Sequence, residues 1–127
     1  MTTYEQLLAD CIRWAKEAGR IQLELFRSDR LDIEAKFNDS DVVTNADKAS
    51  EKAIISEIRR AYPEHSVLSE EAGCDKRMND WLWVIDPLDG TTNYSSGLPN
   101  FCVSIGVQHK GQTVVGVVYA PYLGEIF

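Results

Sequence analysis

The sequence is poor in the residues that build thiolate sites, zinc sites and covalent catalytic sites. It has three cysteines, an odd number, without a C-x-x-C spacing. A disulfide framework or a thiolate zinc site is therefore not expected, and a reducing, cytoplasmic setting fits best. It has only two histidines, His65 and His109, which leaves little from which to build a histidine zinc site or a Ser-His-Asp triad.

Positive charge and long apolar runs are also scarce. Thirteen lysines and arginines stand against twenty acidic residues, a net charge of −7. This balance argues against nucleic acid or an anionic membrane as the main partner, since both attract the opposite sign. The first residues lack the basic and then apolar layout of a signal peptide, and no apolar run approaches membrane-spanning length. A phosphorylated small molecule stays compatible with these acids if a cation lies between them and the phosphate.

The residues that are present predict a globular chain in which helices come first. With 127 residues, 44% of them apolar, the chain is long enough for one domain or part of a larger one. A first helix, capped by Thr3 and Gln6, is predicted from a stripe spaced three and four residues apart: Tyr4, Leu7, Cys11, Trp14, Ala18, Ile21 and Leu25. A second helix is predicted from Thr44 to just before Pro63. Its inward residues are expected to be Ala49, Ala53, Ile54 and Ile58.

Strands dominate the second half of the chain. The predicted strands are 31–37, 66–69, a fully buried strand at 81–85, and a hairpin of 101–108 and 113–119 that turns at 109–111. A polar turn is predicted at 38–41 and a plain loop at 73–74. The fold class is therefore α/β (α+β by strand direction).

Carboxylates gather where these elements begin and end. The run WLWVIDPLDGTTNY at 81–94 passes from apolar residues into Asp86 and Asp89. Because Asp-Pro and Asp-Gly are turn dipeptides, one interpretation is a strand that stops at a tight turn. Asp47 in the first turn of the second helix and Glu70 after a strand support another interpretation, namely that the four acids form one site. Strands that end at the same sheet edge would bring these groups together.

These acids are the ligand type that a hard cation prefers. Mg²⁺ takes oxygen ligands in near-octahedral geometry and usually keeps waters and substrate phosphate in its shell. Asp86, Asp89 and the Leu88 carbonyl offer oxygens on one short segment. Glu70, from a separate strand, could complete the shell and orient a water. The donor set suits metal-assisted hydrolysis.

Gly90 leaves room for a phosphate, and Thr91 offers a hydroxyl and an N–H at a helix start. The acidic residues, however, also have simpler, purely structural explanations. Asp47 lies three residues after Thr44, so it also fits the acidic position of a capping box, and both roles can coexist. Glu70 and Glu71 also fit solvated acids at a strand end.

Two other motifs do not fit this segment. A calcium-binding EF-hand loop counted from Asp86 requires glycine at its sixth position and glutamate at its twelfth, which here are Thr91 and Gly97. The D-x-D-G-T motif of haloacid-dehalogenase-type phosphatases would place Pro87 at the nucleophile position. Proline cannot attack phosphorus, so a covalent aspartyl enzyme is not expected.

Three segments, in order, resemble the motifs of one family. Residues 83–107, WVIDPLDGTTNYSSGLPNFCVSIGV, closely resemble the metal-binding signature of the inositol monophosphatase family. Residues 41–51, DVVTNADKASE, resemble its helix-start motif, and residues 67–73, VLSEEAG, resemble its metal-binding glutamate motif. The similarity runs through the whole chain.

The resemblance implies a magnesium-dependent, lithium-sensitive phosphomonoesterase in a layered αβαβα sandwich, often a homodimer. The metal ligands that it implies are Glu70, Asp86, the Leu88 carbonyl and Asp89. The catalytic residues that it implies, which activate the attacking water, are Glu70, Thr91 and Asp47. The substrate-binding residues that it implies are Asp89, Gly90 and Thr91.

The residues that follow Asp89 in the motif indicate which class of substrate to expect. GTTNY followed by GLPNF is similar to the inositol-phosphate branch, whereas bisphosphate nucleotidases tend to have DGTKEF and fructose bisphosphatases DGSSN. Ser95 and Ser96 replace a hydrophobic-His pair common in that branch. The family continues into a second layer with a W-D-x-x-A motif, which this sequence does not contain. Residues 1–127 are therefore expected to be the N-terminal metal- and phosphate-binding part of such a domain.

The expected function is magnesium-dependent hydrolysis of inositol 1-phosphate by metal-activated water. The alternatives are a 3′(2′),5′-bisphosphate nucleotidase or sugar phosphatase on the same fold, and a non-catalytic fragment that binds metal or dimerises. The expected partners are a small phosphorylated substrate and a second copy of the chain, with no nucleic acid and no membrane.

Overall fold

The computed structural model describes residues 2–35, 42–70 and 72–127. The helices are α1 (Tyr4–Leu25), α2 (Asn45–Ala61) and α3 (Thr91–Ser95). The strands are β1 (Ile33–Ala35), β2 (Val42–Thr44), β3 (Ser66–Ser69), β4 (Gly73–Asp75), β5 (Trp81–Asp89), β6 (Cys102–His109), β7 (Gln112–Ala120) and β8 (Glu125–Ile126). Within the described ranges no helix is long and apolar enough to cross a membrane.

Both long helices begin at the capping boxes that the sequence predicts. At α1 the Thr3 hydroxyl accepts from the Gln6 N–H, and the Thr3 N–H donates to the Gln6 side chain. At α2 Thr44 and Asp47 form the same reciprocal pair. These bonds satisfy N–H groups that the first helical turn leaves unpaired, so they determine where each helix starts. The predicted end of the second helix before Pro63 is also confirmed.

Six strands form one mixed sheet in the order β4-β3-β5-β6-β7-β8. Among the described residues of this sheet β3 and β5 are the one parallel pair, and the other neighbouring strands are antiparallel. β1 and β2 form a separate antiparallel pair. The predicted hairpin between β6 and β7 is confirmed: Lys110 and Gly111 have φ angles of 53° and 81°, the positive values that a two-residue type I′ turn requires.

The core lies between α1, α2 and one face of the sheet. Every second residue of the central strands points into it, namely Trp83, Ile85, Val103, Ile105, Val107, Val115 and Val117. The helix α1 approaches β7 closely at Gly19, where an added Cβ would clash with the Tyr119 ring. On the other face of the sheet Val84 is half-buried, and Leu68 and Val118 are exposed. One face of the sheet therefore carries the core.

The buried stripe of α1 differs from the prediction at both ends. Tyr4 is 53% exposed, whereas Gln22 is fully buried. The inward face of α2 also differs: Ala49 and Ala53 are only half-buried, and Ser50 and Glu51 are buried. Burial therefore includes polar side chains that an apolar pattern does not select, and the site described below depends on several of them.

The strand boundaries show three further differences. The fully buried strand predicted at 81–85 extends to Asp89, and it is not fully buried. Leu82 and Val84 are half-buried because they lie on the other face of the sheet, whereas Trp81, also half-buried, packs against the core. Residues 73–74, predicted as a plain loop, belong to β4, which pairs with β3 in the antiparallel direction. The strand predicted at 31–37 is described over 33–35, while its last two residues and the turn predicted at 38–41 lie outside the described residues.

Candidate functional site

A β-bulge at the end of β5 places two aspartates beside one cleft. Asp86 pairs with Ser104 and Asp89 pairs with Cys102, with a shift of register between the two pairs. Residues three apart on a regular strand point to opposite faces of the sheet. A bulge re-aims side chains by adding a residue to one strand. The acidic segment is therefore a bulged strand end, and the turn follows it.

Gly90 follows the bulge and is required by its conformation and its surroundings. Its φ angle is 84°, in the left-handed region, and it is the residue before α3. An added Cβ would lie 2.6 Å from the Asn100 carbonyl oxygen and 3.3 Å from the Phe101 Cα. A side chain at this position would therefore strain the backbone and displace the neighbouring segment.

Asp47 combines the capping role with a contact to the bulged segment. It is 6% exposed, and its Oδ2 accepts from the Thr44 N–H at 2.8 Å and from the Thr44 hydroxyl at 2.6 Å. Its Oδ1 accepts from the Thr91 hydroxyl at 2.9 Å. The cap thus orients the Asp47 carboxylate through Oδ2, so that the other oxygen, Oδ1, reaches the start of α3. The two roles weighed for Asp47 are geometrically compatible.

Glu70 enters the site from the neighbouring parallel strand. Ser69 pairs with Ile85, so the next residue on each strand, Glu70 and Asp86, lies at the same sheet edge. Glu70 is exposed, and Ser69 is anchored by its hydroxyl, which donates to Glu51 Oε2 at 2.7 Å. Glu71, with which Glu70 was compared in the sequence, lies outside the described residues.

All of the predicted site residues border one cleft of about 330 Å³. Its lining residues are Val42, Asp47, Glu70, Asp86, Leu88, Asp89, Gly90, Thr91, Thr92 and Asn93. The lining residues come from β2, from α2, from the position directly after β3, and from the end of β5 through Gly90 into α3. The structure thus brings the predicted residues together around one cleft, whereas the chemical role of each residue remains a prediction.

The cleft is unfavourable for an isolated negative charge. Burial, then the Asp89 and Glu70 carboxylates, raise the pKa of Asp86 to about 6. The Oδ1 atom of Asp86 is buried and has no hydrogen-bond partner among the described residues. Such an acceptor costs free energy unless something satisfies it. A cation bound in the cleft would satisfy it.

The donor set fits a hard cation that takes few protein ligands. In the described part of the chain no three His, Cys, Asp or Glu side chains are arranged so that together they could hold a metal ion. Yet the cleft offers carboxylate oxygens and the Leu88 carbonyl, and Mg²⁺ commonly uses one or two carboxylates with waters and substrate phosphate. The residues therefore fit Mg²⁺ better than a metal that needs a closed protein cage.

Two buried polar residues next to the site were missed from the sequence. Glu51 lies one helical turn after Asp47 and holds Ser69. Gln22 lies on the inner face of α1 and donates to the Pro87 carbonyl at 2.6 Å. The signal that could have found Gln22 is its spacing, since it follows the buried Ala18 by four residues on a helix.

Comparison with known proteins places the chain among phosphatase-fold relatives. It matches the inositol monophosphatase family over residues 3–127. It is 49% identical over 123 residues to the Nus factor SuhB of Pasteurella multocida, which covers 95% of this chain and 46% of that protein. The solved inositol monophosphatase of Anabaena has a TM-score of 0.81 and 38% identity, covering 99% of this chain and 44% of that one.

A second similar solved structure is that of an inhibited complex. Staphylococcal inositol monophosphatase-1, a lithium chloride-soaked inhibitory complex, has a TM-score of 0.88 and 25% identity, covering 99% of this chain and 48% of that one. The chain spans about half the length of the curated relatives it matches. The family match covers nearly every residue, and the mixed sheet with its helices is shared with the solved structures. The chain belongs to the inositol monophosphatase family.

Proposed function

We propose that this chain supplies the metal- and phosphate-binding part of a magnesium-dependent phosphomonoesterase that hydrolyses inositol 1-phosphate. The observation that carries the proposal is the convergence of four carboxylates, a carbonyl and a hydroxyl on one cleft: Asp47, Glu70, Asp86, Asp89, Leu88 and Thr91. Family membership and solved relatives named inositol monophosphatases support the same reaction class.

The acidic residues of the cleft would hold the metal. The proposed ligands are Glu70, Asp86, Asp89 and the carbonyl of Leu88, all on the cleft wall. Divided between two ions, they would give each ion no more than two of the three carboxylates, as Mg²⁺ commonly has. When bound there, Mg²⁺ would lower the pKa of a water and offset the negative charge of the phosphate. The Oδ1 of Asp86, buried and without a hydrogen-bond partner among the described residues, is the oxygen that would gain most from binding the cation.

Thr91 and Asp47 would orient the attacking water together with Glu70. The Thr91 oxygen lies 2.9 Å from Asp47 Oδ1 and 3.0 Å from the Leu88 carbonyl oxygen. A hydroxyl has one hydrogen, and the carboxylate is the stronger acceptor. Donation to Asp47 leaves the Thr91 lone pairs to accept a hydrogen from water. Glu70, on the same cleft, is then the group that takes the proton.

The phosphate would lie against Gly90 and the start of α3. Gly90 has no side chain to keep a ligand from the backbone, and its positive φ directs the chain into the helix. The first N–H groups of a helix have no partner within it and point away from its N-terminal end. Asp89, Gly90 and Thr91 are therefore the proposed substrate contacts.

Turnover in the protein made from its complete reading frame tests this proposal. Asp89→Asn should keep the local backbone, since asparagine tolerates the same conformations as aspartate. It should greatly reduce Mg²⁺-dependent phosphate release, because a ligand charge is lost. Near-normal activity at saturating Mg²⁺ would make Asp89 a purely structural residue. A panel of inositol 1-phosphate, 3′-phosphoadenosine 5′-phosphate and fructose 1,6-bisphosphate separates the inositol reading from the nucleotidase and sugar phosphatase alternatives.

A second candidate is a binding role without catalysis, favoured by the name of the curated relatives. Those relatives are called Nus factor SuhB, which is not the name of a phosphatase. The expectation that nucleic acid is not a partner therefore stays a prediction that needs its own test. A mobility-shift assay with RNA, on wild type and Asp89→Asn, provides it. Binding by both proteins, without phosphate release by either, would favour this second candidate.

A further inference from the structure

We infer that Gln22 is a positioning residue that orients the metal-binding segment of β5 from outside the cleft. The inference rests on the proposed function, because the segment it holds is the one proposed to bind Mg²⁺. Gln22 does not line the cleft. It acts through the Pro87 carbonyl, which lies between the aspartates of the bulge.

Gln22 joins three elements that surround the site. It is fully buried on α1, and its Nε2 donates to the Ser50 hydroxyl of α2 at 3.1 Å and to the Pro87 carbonyl at 2.6 Å. Its own backbone carbonyl accepts from the Tyr94 hydroxyl of α3 at 2.7 Å. A buried amide is costly unless it is hydrogen-bonded, so these bonds hold the side chain in one orientation.

A hydrogen bond to the Pro87 carbonyl can orient the backbone next to Asp86 because the peptide group is planar. The Pro87–Leu88 peptide is trans and planar, so its C=O and N–H point in opposite directions. Gln22 holds the carbonyl oxygen of this peptide, which lies in the backbone that joins Asp86 to Asp89 through the bulge. Fixing the peptide plane therefore fixes the course of the bulge and the directions in which the two aspartate side chains leave it. Asp86, whose Oδ1 is buried without a hydrogen-bond partner among the described residues, is the residue directly before Pro87.

Packing alone does not account for an amide at this position. The Oε1 atom of Gln22 is buried without a hydrogen-bond partner among the described residues. Leucine or methionine on the same helix face would avoid this cost and still fill the core. Partners one step removed from metal ligands typically set metal affinity by orienting those ligands. Gln22 has the geometry of such a partner.

Binding of Mn²⁺, a paramagnetic probe for the Mg²⁺ site, tests the inference. Free Mn²⁺ is measured by electron paramagnetic resonance during titration of wild type, Gln22→Met and Ser50→Ala. Methionine keeps the length of the side chain and removes both donors. We expect Gln22→Met to weaken Mn²⁺ affinity about 10- to 100-fold. Ser50→Ala, which removes the other partner of the same amide but keeps the Pro87 bond, should change the affinity less than about twofold.

A split in the kinetics separates positioning from general loss of structure. In Gln22→Met the Mg²⁺ concentration for half-maximal phosphate release should rise, while kcat at saturating Mg²⁺ stays near wild type. Urea unfolding of the three proteins shows whether the two variants are comparably folded. Wild type that does not bind Mn²⁺ would overturn the proposed function itself. Wild type that binds, with Gln22→Met equal to it or Ser50→Ala equally impaired, would overturn only the role of Gln22.

If Gln22→Met does not fold, NMR spectroscopy of the wild-type protein tests the same inference. The Gln22 Nε2 group is buried and donates to the Pro87 carbonyl and the Ser50 hydroxyl, so the resonances of its two hydrogens should be resolved and slow to exchange. They should shift when Mg²⁺ is added. Unchanged resonances, in a sample whose cleft residues do shift, would overturn the inference.

Discussion

Replacing Gly90 by alanine tests whether the bend after the bulge is as constrained as the structure indicates. Gly90 has a φ angle of 84°, and an added Cβ would lie 2.6 Å from the Asn100 carbonyl oxygen. The obstacle is backbone, which cannot rotate away as a flexible side chain can. Two costs therefore add at this position, one from backbone conformation and one from the contact.

Gly111 is a matched control because it carries only the first cost. Its φ angle is 81°, and nothing lies within 4 Å of an added Cβ. For an L-residue the left-handed conformation costs roughly 1–2 kcal/mol, which is the expected loss for Gly111→Ala. Overpacking typically adds about 1–3 kcal/mol, so Gly90→Ala should lose roughly 2–5 kcal/mol. The difference between the two variants isolates the clash.

Urea unfolding followed by tryptophan fluorescence measures both variants on one scale. The free energy of unfolding is taken from the midpoint at a common m-value. Gly90→Ala should also lower Mg²⁺-dependent phosphate release, because the segment must shift to relieve the contact, whereas Gly111→Ala lies outside the cleft and should not. Equal losses of stability in the two variants would refute the steric argument, since both then report only the backbone conformation.

Three other outcomes follow from the same structure. If Glu70 helps to activate water, Glu70→Gln should lower kcat by at least about 100-fold, the scale of general-base loss, and Glu71→Gln should lower it far less. Equal effects of the two variants would show that Glu70 does not have this role. His65 accepts the Trp83 indole N–H at 2.9 Å, and burial lowers its pKa, with His109 adding to the shift and Glu64 opposing it. The unfolded state then binds more protons than the folded state, so urea stability should fall as pH drops below about 6.5; a His65→Asn variant with an equal pH slope would contradict this. Residues 1–127 expressed alone leave apolar side chains such as Leu68 exposed on one sheet face, so they should self-associate and release no more than trace phosphate; a monomeric, fully active sample at sedimentation equilibrium would disprove it.

Sequence alone determined the features that rest on residues close together in the chain. The capping boxes at Thr3 and Thr44 join residues three apart, and the turn at 110–111 is read from a glycine between alternating strands. Such contacts do not depend on the rest of the fold. The family resemblance likewise depends on contiguous motifs, and the family match over 3–127 confirms it. The candidate site residues were all named from these motifs, and all border one cleft.

Only the tertiary structure decided how the site is held together. Alternation along a strand cannot show that Asp86 and Asp89 share a cleft, because the bulge that turns them depends on pairing with β6. Apolar periodicity selected Ile21 for the stripe of α1, whereas the buried position belongs to Gln22, whose partner Pro87 is 65 residues away. Buried polar groups are chosen by the distant acceptors that satisfy them, and those acceptors come into place only when the chain has folded.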